Sequence, residues 1–225
     1  MFKRIVAAAA FAGLLSGLLL TAIQQIDITP LLREAEKREH AAVALVAPAQ
    51  DHGAHRDRNE TSAPDTRWQR MLATAVSNVV LATGLALLLG SLLELRGMTG
   101  WRTGLAWGIA GYVVFFVAPS LVLPPHLPGT NAGPLAERPL WWAATVLSSG
   151  VGAWLVAFAK RPANRILGLA LLAAPQVVGL LQPTIQDGLD TSEMAQDFVR
   201  AAYIANAALW LTLGALVGLR LRIGD

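Results

Sequence analysis

Val113-Val-Phe-Phe-Val-Ala-Pro-Ser-Leu-Val-Leu123, Pro124-Pro-His-Leu-Pro-Gly129 and Ala136-Glu-Arg-Pro-Leu-Trp-Trp142 lie close together in mid-chain. An apolar helix arrives, a proline cluster stops it, and a tryptophan pair opens the next apolar helix. Proline lacks the amide donor and fixes φ, so Pro124, Pro125 and Pro128 cannot continue a helix. Trp141 and Trp142 are rings of the kind that settle at a membrane–water boundary. The stretch therefore predicts a membrane hairpin, with His126 in its turn at the lipid–water interface.

Outward from the hairpin, the helix entering it is predicted over Gly104–Leu123 and the helix leaving it over Leu140–Ala159. Met71–Leu93 precedes them and ends at Glu94-Leu-Arg96. Ile166–Leu181 follows, shorter and broken by Pro175-Gln176. The outermost apolar runs are Ile5–Ile23 and Ala201–Leu219. None of these six stretches contains a charge. The first is longer than the apolar core of a signal peptide, about 7–15 residues, and Leu20-Thr21-Ala22 is a poor cleavage site, so a retained helix is expected.

The 225 residues are 54% apolar and 15% charged, with a mean hydropathy of +0.49. A soluble domain carries about 25% charge. The expected fold is an all-α integral membrane protein of six transmembrane helices, one membrane domain over residues 1–225, with one longer polar outer loop, Gln24–Trp68. The net charge of +3 does not point to nucleic acid, because the basic residues flank apolar runs rather than clustering with aromatics. With no cysteine, thiolate metal sites and a cysteine nucleophile are excluded.

Lys3, Arg4, Arg96, Arg102, Lys160, Arg161, Arg165, Arg220 and Arg222 fall on one set of short segments, with only Glu94 and Asp225 as acids there. The positive-inside rule puts that side, and both termini, in the cytoplasm. Gly100, Gly104 and Gly108 repeat every four residues, as do the pairs Gly13/Gly17 and Gly214/Gly218, a spacing that bares backbone for close helix approach.

All four histidines, His40, His52, His55 and His126, fall on the predicted outer side. Imidazole and carboxylate ligate divalent transition metals. Glu36 and His40 are four apart and share a helix face, with Glu39 beside them. His52 and His55, with Asp51 and Asp57, form a second cluster on flexible chain. The plainer reading of both is a hydrated loop. Gln176 after Pro175 is either a cap for the kink proline leaves or a polar waypoint in a permeation path. Gln24, Gln25 and Gln182 border the outer side. Asn78 and Asn206 read as interhelical glue, and Ser148-Ser149-Gly150 as a small-residue packing feature.

The absences narrow the function. No charge in a span argues against a proton relay or voltage sensor. There is no Walker-type phosphate loop. No span holds a histidine, so neither a Ser–His protease nor haem ligation fits. By its residues the chain is a passive or partner-driven permease, or a scaffold, and no enzyme.

The residues quoted resemble the CbtA proteins, proposed subunits of a bacterial cobalt transporter. The likeness runs over nearly the whole chain: the opening Lys-Arg-Ile span, Gln25-x-x-x-Thr-Pro-Leu (Gln25 is followed by Ile26, Asp27, Ile28, Thr29, Pro30 and Leu31), the acidic run after it, Ala118–Gly129 and Arg138–Trp142. Pro175–Pro183 matches a weaker motif. The family often carries an acid where His126 stands and histidines near Gln176 and Gln182, and it is usually described with five spans. The resemblance implies Co²⁺ uptake through the inner membrane for cobalamin synthesis, Co²⁺ as substrate rather than tightly bound cofactor, and a small single-span, histidine-rich partner, CbtB. Nickel, and a scaffold or assembly factor for a metalloprotein, are the alternatives.

Overall fold

A computed structural model describes residues 2–46, 67–127, 138–180 and 192–223, and the regular elements among them are all helical. α1 (Phe2–Ile23) runs through a π-helical turn (Gln24–Ile28) into α2 (Thr29–Val46). α3 covers Arg67–Leu95. α4 (Trp101–Tyr112) runs through a second π-helical turn (Val113–Val117) into the single turn α5 (Ala118–Ser120). α6 (Arg138–Phe158), α7 (Pro162–Leu180) and α8 (Glu193–Ile223) complete the bundle.

Among the described residues five helical stretches are long and apolar enough to cross a membrane: Phe2–Arg38, Trp68–Leu95, Trp101–Ser120, Arg138–Phe158 and Glu193–Ile223. α7, 19 residues long with Pro175 inside it, is not among them. The outside of the bundle is apolar: Val76, Val80 and Leu147 are 62%, 67% and 69% exposed. In water such a surface would be a large adhesive patch; against lipid tails it costs nothing.

Several boundaries differ from the sequence reading, the last helix among them, which starts at Glu193 rather than Ala201. The polar outer segment, expected to be helix-forming over Leu31–Ala42, is helical from Thr29 to Val46 and continuous with α1, α3 begins at Arg67 instead of Met71, and the helix entering the hairpin ends at Ser120 rather than Leu123. For α2 the reason is tertiary. Ala35 is buried with Leu127 and Ala195, with Leu32 packed against them, so a polar helix gains one apolar stripe to bury.

Each π-helical turn ends two residues before a proline. The Thr29 N–H, before Pro30, bonds Gln24 O; the Ala118 N–H, before Pro119, bonds Val113 O. A proline ring clashes with the carbonyl four residues back, and one extra residue in the turn relieves that clash.

Close glycine approaches set three helix pairs. A Cβ on Gly13 would overlap Thr83, and one on Gly17 would lie 2.6 Å from Val79 Cα, so α1 and α3 touch backbone to backbone. Cβ atoms on Gly104 and Gly108 would overlap Gly214 O and Trp210 O, which locks α4 to α8. Between α6 and α7, a Cβ on Gly152 would lie 2.7 Å from Gly168 O, and one on Gly168 would lie 2.8 Å from Gly152 O. Gly100 differs from its two periodic neighbours. Its φ is +105°, its N–H donates to Gly218 O at 2.9 Å, and a side chain there would meet open space. Backbone conformation, rather than a packed face, requires glycine at that position.

The apolar core lies between α1, α3 and α8, with Ala8, Ala12, Ala82, Ala86, Leu213 and Val217 at 2% exposure or less. The two ends of the bundle are chemically distinct. At one, Arg4 Nη2 donates to Leu221 O at 2.8 Å and Arg4 Nη1 lies 3.9 Å from Glu94 Oε1. Nearby in sequence, Arg96 stacks over Trp154 and Phe158, 4.2 and 3.8 Å from their centroids. At the other end, α2, the turn at Leu127 and the start of α8 meet.

Candidate functional site

The hairpin turn is built by the end of the helix before it. After Ser120 the chain keeps two helical bonds, Leu121 N–H to Val117 O at 3.1 Å and Leu123 N–H to Pro119 O at 3.0 Å, and then Pro124 and Pro125 forbid another. His126 follows, half-buried. Burial lowers its pKa, the nearby Arg138 charge lowers it further, and a hydrogen bond to the Pro124 carbonyl pulls the other way. The imidazole is therefore held neutral, the form that can donate a lone pair to a metal. The same Arg138 repels a divalent cation, so the site is half suited to one.

Glu36 is exposed on α2, one residue from Ala35, which packs beside Leu127. The fold thus brings the helix carrying Glu36 to the turn carrying His126. Glu39 and His40 lie within α2, but their side chains are outside the described ones; His52, His55 and Gln182 lie outside the described residues altogether. Among the described residues no three His, Cys, Asp or Glu side chains gather closely enough to hold a metal ion.

The predicted polar path divides into two separate groups. Asn78 Nδ2 donates to Gln24 Oε1 at 2.7 Å and to Thr21 Oγ1 at 3.0 Å, joining α3 to the end of α1. Gln25 is half-buried next to it. Gln176 does not cap its own helix. Its Nε2 donates to Ala118 O at 3.0 Å, closing the end of the helix that enters the hairpin. The carbonyl that Pro175 leaves free is Leu171 O, and Ser148 Oγ takes it at 2.7 Å. In the same way Pro119 frees Phe115 O, and Trp142 Nε1 donates to it at 3.3 Å. Ser148 is thus more than a packing residue, and Trp142 more than an interfacial anchor. The sequence marks the freed carbonyls, four residues before each proline, but not the donors on α6 that meet them. Asn206 bonds Ala202 O within its own helix at 3.0 Å, so the glue reading fails for it and describes Asn78 alone.

Aromatic rings close the space around the second π-helical turn. Phe115 lies 5.2 Å from Trp210 and 6.3 Å from Trp142, and Phe116 lies 5.0 Å from Tyr203. Tyr112 OH donates to Tyr203 O at 3.2 Å. Arg138, missed in the sequence as a member of this site, is the charge nearest His126 that shifts it.

Long apolar helices, a lipid-compatible exterior and amides turned inward define a multi-pass membrane protein. A family model described as "Probable cobalt transporter subunit (CbtA)" matches residues 2–222, and the chain belongs to that family. No curated protein and no solved structure matches it.

Proposed function

We propose that this chain is a permease subunit that imports Co²⁺ across the bacterial inner membrane, supplying cobalamin synthesis. The observation that carries the reading is the family match over residues 2–222. No bond is made or broken in the proposed cycle, so no catalytic residue is assigned. Glu36, Glu39, His40 and His126, helped by His52 and His55, collect the hydrated ion on the outer side. The ion then sheds water stepwise past Gln24, Gln25, Gln176 and Gln182. The membrane potential is worth about 2.3 kcal/mol per charge per 100 mV, and roughly twice that for a divalent ion.

Six crossings, with both termini cytoplasmic in one membrane domain, is the topology proposed. The bond from Arg4 to Leu221 O supports it, because termini that meet at one end of a bundle require an even number of crossings. α7 supplies the sixth: Gly168 faces Gly152 midway along α6, and a Cβ on Gly179 would overlap Val122 at the hairpin end.

Arg138 beside His126, and the lack of a ligand trio among the described residues, favour ligands from elsewhere. A single-span, histidine-rich partner subunit is the proposed source. The test is cobalt and nickel accumulation in cells lacking other importers, carrying this chain alone, both chains, or neither. Cobalt uptake that needs both chains and falls severalfold in His126→Ala at equal protein level is the expected result. A larger response to nickel would change the metal. Unchanged metal content in every strain would sink the permease and favour a membrane scaffold.

A further inference from the structure

We infer that the cavity between the second π-helical turn, the proline turn and the start of α6 binds a phosphate group. Its volume is about 240 Å³, and Phe115, Phe116, Ser120, Arg138, Trp141 and Trp142 are among its walls. A water molecule's share of the liquid is about 30 Å³, so the space exceeds what one bridging water fills.

The chemistry of the walls is one-sided. Arg138 Nε and Trp141 Nε1 are buried and have no hydrogen-bond partner among the described residues. Guanidinium and indole can only donate, so what the cavity lacks is an acceptor. Arg138 and Trp141 are three apart on α6 and therefore share a face. No aspartate or glutamate is among the described residues that line the cavity, so none of them neutralises the guanidinium. A partly buried charge left that way is costly, and an anion removes the cost. The positive pole of the 21-residue α6 lies at the same place and adds to the attraction.

Apart from the Ser120 hydroxyl, the remaining walls are aromatic rings, prolines and Leu123, which suit the apolar part of a larger molecule. Two sources carry the required group: the headgroup of an anionic lipid, reached through the tryptophan pair at the hairpin, or free phosphate from the aqueous side. This site is independent of the permease reading, since it concerns an anion and not the transported cation.

The experiment is the thermal unfolding midpoint of the full chain in a neutral detergent, titrated separately with phosphatidylglycerol, phosphatidylcholine and inorganic phosphate. Phosphatidylglycerol should raise the midpoint at concentrations where phosphatidylcholine does not. Arg138→Gln and Trp141→Phe should each weaken that response about tenfold, the scale of one lost charge-assisted or buried hydrogen bond. Arg102→Gln, a basic residue at the opposite end, should leave it unchanged. Should Arg138→Gln fail to fold, Trp141→Phe carries the test, since it keeps an aromatic ring and removes only the donor. If inorganic phosphate alone saturates the effect, the ligand is the free anion. Equal responses to both lipids with none to phosphate, an undiminished response in both variants, or an equal loss in Arg102→Gln overturns the inference.

Discussion

His126 titrates below the ordinary histidine value because burial and Arg138 both disfavour imidazolium. On acidification the unfolded chain therefore takes up the proton first. The contribution of His126 to folded stability is present above its ordinary value of about pH 6.5 and is lost as pH drops below it, because there the unfolded state binds more protons. His126→Gln should flatten that slope; unfolding midpoints at about pH 7.5 and about pH 5 measure it. The group is partly exposed, so the slope is shallow. Gln176 presents a different single-residue test. Gln176→Leu leaves Ala118 O, at a helix end, without the amide that now meets it at 3.0 Å. The expected loss is about 1 kcal/mol of unfolding free energy in detergent.

At the scale of elements, proline and its remote donor act as a unit. Ser148 serves Leu171 O because Pro175 cannot. Ser148→Ala should cost about 1 kcal/mol in the natural chain and close to nothing in a Pro175→Ala background, where the helix regains its own donor. A double-mutant cycle measured by denaturant unfolding should give a coupling of about 0.5–1.5 kcal/mol. Strict additivity would mean that the hydroxyl contributes nothing to the kink. The same argument couples Trp142 to Pro119, with a smaller term at 3.3 Å. α6 thus supplies the donors for carbonyls that prolines free in two of its neighbours, α7 and the helix entering the hairpin. The hairpin's shape depends on α6 as much as on its own prolines.

For the whole molecule, the glycine contacts decide how tightly the bundle closes. Gly104→Leu would drive a side chain into Gly214 of α8, and it should abolish the monodisperse, folded protein that size exclusion reports. Gly84, inside α3, is the opposite case, since a Cβ added there would meet nothing within 4 Å. Gly84→Ala should therefore stabilise by about 0.4–1 kcal/mol through the unfolded chain's lost freedom. Topology is testable because the chain has no cysteine. In whole cells an impermeant thiol reagent should label His126→Cys and reach Arg222→Cys only after permeabilisation. The reverse pattern would invert the proposed orientation, and labelling of both would remove the even-crossing topology.

Much of the architecture was legible from the chain alone, for a physical reason. In lipid a backbone must satisfy its own polar groups, so an apolar run of about 20 residues is helical wherever it packs. Prolines, charges and tryptophans then mark where such runs stop and which ends face water. The four-residue glycine spacing was equally visible, although Gly100 shares it for a different reason, its positive φ. What only the tertiary structure decided was partnership between helices. Whether α1 continues past Gln24 into α2, which donor meets the carbonyl freed by Pro119 or Pro175, and that Arg138 sits beside His126 all depend on the register of rigid rods distant in sequence. That register is set by backbone contacts such as Gly104 with Gly214 and Gly152 with Gly168. Local periodicity cannot encode it, because it repeats along each helix without naming the neighbour.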